Sequence, residues 1–188
     1  FYALGIQSSQ FSGSVAAINF GMMGELTSYP ALAERQYILK NNLQQTALRF
    51  TAIGSIMSCI VPIMCLYPLL EWFRGHSLLM GGLIAVPLIM KYINWKETVS
   101  TEIPNVPEQK INFPIWSSVR GGLLGLFTGL LPAVGTQIGS NLAWRVEKFF
   151  HPNDNHVSVM SRLTSAESAN NGSQITVLIP LLILGIAI

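Results

Sequence analysis

Charge is what this 188-residue chain has least of. Asp, Glu, Lys and Arg together make up 11% of it, less than half of the roughly 25% usual for a soluble domain. Uncharged polar residues do not make up the difference, because the mean hydropathy is +0.44. With half the residues hydrophobic, an intrinsically disordered chain and a coiled coil are both excluded. Two cysteines are too few for a disulfide-stapled secreted module. A net charge of +2, with no basic stripe interleaved with aromatics, gives nucleic acid nothing to hold. No Ser/His/Asp arrangement, phosphate-cradling loop or paired-carboxylate motif is present. Phe1 is followed by no basic segment, apolar core and cleavage site of a signal peptide, and the apolar run 175–188 is still in progress at Ile188. These features together predict part of a larger membrane protein, embedded in a lipid bilayer.

Hydropathy divides the chain into short apolar stretches. Residues 11–24 are apolar and rich in small residues, including Gly13, Ser14, Ala16, Ala17 and Gly21, which lets helix backbones approach closely. Fourteen residues fall short of the roughly 20 needed to cross a bilayer, so a re-entrant or broken segment is expected. Residues 25–49 are polar, with a turn at Tyr29-Pro30 and a surface helix over 31–45. Residues 50–70 read as the first full span, kinked at Pro62 and Pro68. A tight interfacial turn is expected at 71–76, and a return span over 77–93. Residues 95–114 form a polar loop with three prolines.

Residues 115–131 lead into the Gly- and Pro-punctuated stretch 129–135, and a new helix is expected over 136–150 with Thr136 as its N-cap. Residues 151–163 read as a polar connection and 168–188 as the last membrane segment. If 115–150 is a hairpin that enters and leaves on one side, then Arg35, Lys40, Arg49, Lys91, Lys96, Lys110, Arg120, Arg145, Lys148 and Arg162 share one face, with Arg74 alone opposite. The excess of Lys and Arg marks that face as cytoplasmic, with 26–49 and 94–114 as cytoplasmic loops.

Two places offer chemistry. At the break, Pro132 removes an N–H and Gly135 frees the backbone. Broken backbone at membrane depth is tolerated where it is buried in protein or lines a wet cavity. The next helix presents unpaired N–H groups and a positive dipole end to a carboxylate. Gly135, Thr136, Gln137, Ser140 and Asn141 are the candidates there, against the alternative of an ordinary proline kink. The second place is 167–174, where adjacent amides stand directly before an apolar run. Amides entering a membrane are costly unless they bond something. Thr164-Ser-Ala-Glu167 fits a capping box, which favours Asn170 and Asn171 over Glu167 as ligand contacts. The loop His151-Pro-Asn-Asp154-Asn-His156 lacks the spacing of a metal site and reads as a solvated turn. A faint echo 164 residues apart (Ser9-Gln10 with Ser173-Gln174, Gly21 with Gly185) suits folds built from paired broken helices.

These stretches resemble a known family, the large membrane subunit of the tripartite tricarboxylate transporters. The resemblance runs through Gly125-Leu-Phe-Thr-Gly-Leu-Leu-Pro-Ala-Val-Gly-Thr-Gln-Ile-Gly-Ser140, Val146-Glu147-Lys148, Glu167-Ser-Ala-Asn-Asn171 and Leu178-Ile-Pro-Leu-Leu-Ile-Leu-Gly-Ile186. A weaker likeness to the family's first half covers Gly13-Ser-Val-Ala-Ala-Ile18, Gly24-Glu25, Tyr29-Pro30 and Ala52-Ile-Gly-Ser55. The chain departs from the family pattern at Ala133, Thr136 and Met23. The resemblance implies an all-α polytopic membrane protein of two repeated halves with broken, re-entrant helical hairpins. On that reading 1–55 closes the first half, 56–114 connects, and 115–188 holds the hairpin and polar tip of the second. It also implies a permease of the bacterial inner membrane for small carboxylates, driven by a Na⁺ or H⁺ gradient, with no cofactor. An extracytoplasmic solute-binding protein would deliver substrate, and a small membrane subunit would stand beside it. Gly135, Thr136, Gln137, Ser140, Ser168, Asn170 and Asn171 would then bind substrate, and Ser14, Asn170 and Asn171 the cation. Two other classes stay open: a membrane scaffold that moves no solute, and an intramembrane enzyme using Glu167 or His156.

Overall fold

A computed structural model of the chain describes residues 13–22, 26–75, 111–131 and 134–179. All regular structure among the described residues is helical. Residues 13–20 form a helix, α1. A 3-10 turn, Leu26–Ser28, leads into α2, Tyr29–Lys40, with Pro30 in its first turn, where a missing N–H is harmless. Asn42, at φ 53, turns the chain into α3, Gln44–Arg74. Then come α4, Ile115–Thr128, α5, Gly135–Phe150, and α6, His156–Thr176.

Several expected boundaries move. The helix expected over 31–45 is present as α2 but begins at Tyr29, where a turn was expected, and ends at Lys40, and α3 already starts at Gln44. α2 is packed rather than superficial, with Ala31, Glu34, Arg35, Ile38 and Leu39 buried. α3 runs unbroken through Pro62 and Pro68 and extends to Arg74, so most of the expected turn at 71–76 is helical. It is the one helix among the described residues long and apolar enough to cross a membrane, over Gln44–Cys65. The return span 77–93, most of the loop 95–114 and the echo at Ser9, Gln10 and Gly185 lie outside the described residues.

The largest change concerns α6. Asn155 caps it, its side chain accepting the Ser158 N–H at 2.8 Å, so the helix begins at His156, well before the segment expected from Ser168. Thr164 and Glu167 consequently sit in mid-helix, where there are no free N–H groups to cap, and the capping-box reading of Glu167 fails. Every residue from Ser158 to Thr176 is buried, because α3, α4 and α5 all pack around this helix.

Small residues make that packing possible. Gly121, Gly125 and Gly129 of α4 face Ser165, Ala169 and Ser173 of α6, one pair per turn, and the two helices run parallel. A Cβ on these glycines would stand 2.8 Å from the Cα of Ser165, 2.8 Å from that of Ala169 and 2.7 Å from that of Ser173, closer than side chains ever pack. On the other side, a Cβ on Gly54 of α3 would lie 2.9 Å from Ser168 Oγ. α4 and α5 are antiparallel. Arg120, near the start of α4, bonds Glu147 near the end of α5 through its Nε at 3.1 Å, and its guanidinium lies 5.1 Å from the Phe150 ring centroid. The chain therefore enters and leaves this hairpin at one end, the arrangement that the charge asymmetry favours.

That end, the base, is held by charge pairs. Arg162, 1% exposed, donates from Nε to Glu34 Oε1 at 2.6 Å and from Nη2 to Glu34 Oε2 at 2.9 Å. Asp154 Oδ1 accepts from Nη2 at 2.8 Å, and the carbonyls of His151 and Asn153 accept from Nη1. Trp144 Nε1 adds a bond to Glu34 Oε1 at 2.8 Å. Buried Glu147 accepts from Ser117 Oγ at 2.7 Å, with His151 Nδ1 2.9 Å away. A hydrogen bond joins Tyr37 Oη to His156 Nδ1 at 2.9 Å. Burial, reinforced by the Asp154 carboxylate, raises the Tyr37 phenol above its ordinary pKa. An apolar cluster of Ala17, Ile18, Ile38, Leu43, Phe50, Met160 and Leu163 fills the space between α1, α2, α3 and α6.

Two outcomes are expected from this packing. Gly125→Val should lower thermal stability by about 1–3 kcal/mol or prevent assembly, whereas Leu123→Ala on the exposed side of α4 should change it little, both read from melting curves in detergent. Arg162→Met should cost about 3–5 kcal/mol by stranding the buried Glu34 charge, and adding Glu34→Gln should recover much of that loss in the same assay.

Candidate functional site

Helix α6 alternates between faces as it runs from the base to the hairpin tip, and each face meets different neighbours. Successive residues of an α-helix turn by about 100°. Ser165, Ala169 and Ser173 meet α4, Thr164 and Ser168 meet Gly54 of α3, and Gly172 lies between Gly122 of α4 and Ser58 of α3. Glu167 and Asn171, one turn apart, face α1 and part of α3.

Glu167 is the chemical centre of this arrangement. It is 3% exposed. Ser14 of α1 donates to its Oε2 at 2.6 Å, and Asn171 Nδ2 donates to its Oε1 at 3.0 Å. Ser55 Oγ of α3 stands 3.4 Å from Oε1, accepts from Asn171 Nδ2 at 2.9 Å and donates to the Thr51 carbonyl at 2.8 Å. Three helices thus converge on one carboxylate with neutral oxygen and nitrogen groups, and among the described residues no cation pairs with it. The close approach of α3 at Gly54 is what brings Ser55 within reach.

Of the residues expected from sequence to bind a cation, Ser14 and Asn171 are brought together here, around an acid whose sequence context favours a capping role. Asn170 is not part of the cluster. It is 1% exposed, and among the described residues neither its Nδ2 nor its Oδ1 has a hydrogen-bond partner. Two buried amide atoms without partners cost about 1–3 kcal/mol each, so Asn170 stands out among the polar residues of α6 as a group built to bond something else. Ser168 points elsewhere: its Oγ shares a hydrogen bond with Ser118 Oγ at 2.8 Å and lies 3.3 Å from the Gly54 carbonyl, which ties α6 to α4 and α3.

At the hairpin tip, α5 begins without a side-chain cap. Its N-cap position is Val134, so Thr136 lies inside the first turn and does not cap the helix. Gly135 donates its N–H to the Leu131 carbonyl at 3.0 Å, which takes it out of the set of backbone donors expected there. The first-turn N–H groups of Thr136 and Gln137 have no acceptor within the helix. Gly135 also packs against α4, where a Cβ would stand 3.0 Å from Gly129 Cα. Ser140 and Asn141 face the other way. Ser140 Oγ donates to the Thr27 carbonyl at 2.9 Å and Asn141 Nδ2 to the Leu26 carbonyl at 3.2 Å, fastening the 3-10 turn to α5. Their side chains hold structure rather than line a cavity with Thr136 and Gln137. Pro132 and Ala133 lie outside the described residues.

The loop 151–155 divides its side chains among separate partners, His151 with Glu147 and Asp154 with Arg162, while His156 just beyond it meets Tyr37. Among the described residues no group of three or more His, Cys, Asp or Glu side chains is placed to hold a metal ion.

No curated protein and no solved structure matches the chain. The sequence model described as Tripartite tricarboxylate transporter TctA family matches residues 75–188, more than half of the chain and all of α4, α5 and α6. This is a family of membrane transporters, not of enzymes. The buried polar helix and the hairpin beside it therefore belong to a transporter subunit: the chain is a member of the tripartite tricarboxylate transporter TctA family.

Proposed function

We propose that the chain is part of a polytopic permease of the bacterial inner membrane that takes up small carboxylates against their gradient, coupled to Na⁺ or H⁺ entry. Substrate would arrive from an extracytoplasmic binding protein, with a small membrane subunit completing the assembly, as the tripartite character of the family implies. The single observation that carries a binding role is Asn170. Its amide is buried and has no hydrogen-bond partner among the described residues, on a helix whose other faces are taken up by α3, α4 and α1. A carboxylate would accept from Nδ2, and a hydroxyl of the substrate would donate to Oδ1.

The hairpin supports the same reading. At about 1.5 Å per residue, the 14 residues of α4 and 16 of α5 are roughly 21 and 24 Å long, too short for either to cross the roughly 30 Å hydrocarbon core. A hairpin of that length, entered and left at its base, ends within the membrane. The first turn of α5, with Thr136 and Gln137, and the positive end of its dipole then lie at a depth where an anion would be well served. Gly135 would serve by letting α5 pack close to α4, and Asn171 would act through Glu167. Arg35, Lys40, Arg120, Arg145, Lys148 and Arg162 all sit toward the base, which would face the cytoplasm by their excess positive charge.

Uptake of radiolabelled citrate and related carboxylates by cells expressing the complete transporter tests this reading. Asn170→Ala should raise the apparent Km about 10-fold or more, the equivalent of losing a charged hydrogen bond of about 1.5–3 kcal/mol, while leaving the melting temperature unchanged or higher. Asn170→Ala with wild-type affinity, or no carboxylate uptake by correctly inserted wild type, would sink the proposal. Sidedness has its own check. In a Cys59→Ser/Cys65→Ser background, Asn153→Cys should react with a membrane-impermeant maleimide in inside-out vesicles and be protected in intact spheroplasts.

A further inference from the structure

We infer that Glu167 is the anionic ligand of a Na⁺ site formed with Ser14, Ser55 and Asn171. The inference deepens the permease reading, and rests on it only for the use to which the bound ion is put.

A carboxylate enclosed by three helices needs compensation. Removing it from water is costly unless a charge partner or several strong hydrogen bonds replace the solvent. Among the described residues, the other buried acids have their charges matched: Glu34 by Arg162, Glu147 by Arg120. Glu167 has hydroxyls and an amide instead. When Glu167 is ionised, Ser14 Oγ and Asn171 Nδ2 solvate it, yet one net negative charge would remain in the bundle with no cation among the described residues.

The donor set identifies what would fill that role. Both carboxylate oxygens, Ser14 Oγ and Ser55 Oγ lie in one cluster, and rotation of the Asn171 amide replaces Nδ2 by Oδ1 there. All are hard oxygen ligands, suited to an alkali or alkaline-earth ion rather than a transition metal. With a single carboxylate, a monovalent ion leaves the site neutral, whereas a divalent ion would leave a charge in a low-dielectric interior. A proton would neutralise Glu167 as well, but would satisfy one oxygen only and would not require hydroxyls from two further helices to converge on it. The serine hydroxyls adapt to either state, donating to the bare carboxylate and presenting lone pairs to the ion.

The site has a mechanical consequence. Ser14 is on α1, Ser55 on α3, and Glu167 with Asn171 on α6, so an ion bound among them ties three helices at one level. Asn170, proposed above to meet the substrate, is the neighbour of Asn171 on the same turn of α6.

The test is binding of radioactive sodium to the intact transporter purified in detergent with choline as the replacement cation, alongside carboxylate uptake in proteoliposomes. Wild type should bind sodium saturably, Ser14→Ala should weaken binding about 10–100-fold, and Glu167→Gln should abolish it while eluting as an intact complex. Undiminished binding in Glu167→Gln, or none in wild type, overturns the site. Should Glu167→Gln fail to assemble, unchanged affinity in both Ser14→Ala and Ser55→Ala overturns it equally. Sodium binding without uptake of any carboxylate counts against the permease reading and leaves the site standing. Uptake that depends on pH and not on sodium overturns the site and leaves the permease.

Discussion

A helix buried from its third residue to its end while carrying serines, threonines, asparagines, an arginine and a glutamate sets the terms for everything around it. Between Ser158 and Thr176 nothing on α6 reaches the surface, so each polar side chain needs a partner from a neighbouring helix, from its own backbone, or from a bound species. Close approach is the first requirement, and the glycines of α4 supply it at every turn. Backbone bonding handles part of the polar load, as when Ser173 Oγ donates to the Asn170 carbonyl at 2.7 Å and Thr176 Oγ1 to the Ser173 carbonyl at 3.1 Å. Helix-to-helix bonds through Ser118 and Ser168 handle more. Groups that find no partner among the described residues despite all of these, the amide of Asn170 above all, are correspondingly informative.

Charge is distributed along α6 by the same logic. At the base, Arg162 meets two carboxylates and two carbonyls, so that its desolvated guanidinium has acceptors all round it. The base also includes the join between α4 and α5 through Arg120 and Glu147, and between α1 and α2 through Arg35, which donates to the Ile18 carbonyl at 3.1 Å. About one and a half turns further along, at Glu167, no cation among the described residues answers. Ion pairs of this density make the base a rigid platform. The neutral, hydroxyl-lined middle is the part of the bundle whose electrostatics an ion can change.

The sequence carries some of this plainly and hides the rest for physical reasons. The break between α4 and α5 is legible because Gly129, Pro132 and Gly135 interrupt an apolar run, and the hairpin sense comes from where Arg120, Arg145 and Lys148 have to lie. The asparagine pair is legible because adjacent amides are rare before an apolar segment. The start of α6 is not. Residues 156–167 show no amphipathic period, since a helix buried on all sides has no solvent face to produce one, and the stretch reads as a polar connection. With the helix start misplaced, Glu167 looks like a cap residue and its position one turn before Asn171 is concealed. Ser55 stands out only as part of a family likeness, because its role depends on Gly54 bringing α3 against α6, a contact between segments more than a hundred residues apart. The useful cue is Asn155, whose side chain bonds the Ser158 N–H, a cap signal outweighed by the polarity of residues 156–167.

Placing both proposed sites on α6 has a consequence for coupling. Glu167 and Asn171 look toward α1 and α3, and Asn170 lies about 100° round the same helical turn from Asn171. An ion bound by Glu167 would draw α1 and α3 onto one side of that turn, and so would select one rotational setting of α6. Asn170, being rigidly part of the turn, would take its orientation from that selection. A ligand shifts a conformational equilibrium only by as much as it prefers one state over the other. Thermodynamic reciprocity then requires that whatever sodium does for the carboxylate, the carboxylate does for sodium. Two sites on opposite ends of the bundle would need a relay of packed side chains to satisfy that condition. Two sites on one turn of one buried helix satisfy it through a single rigid element.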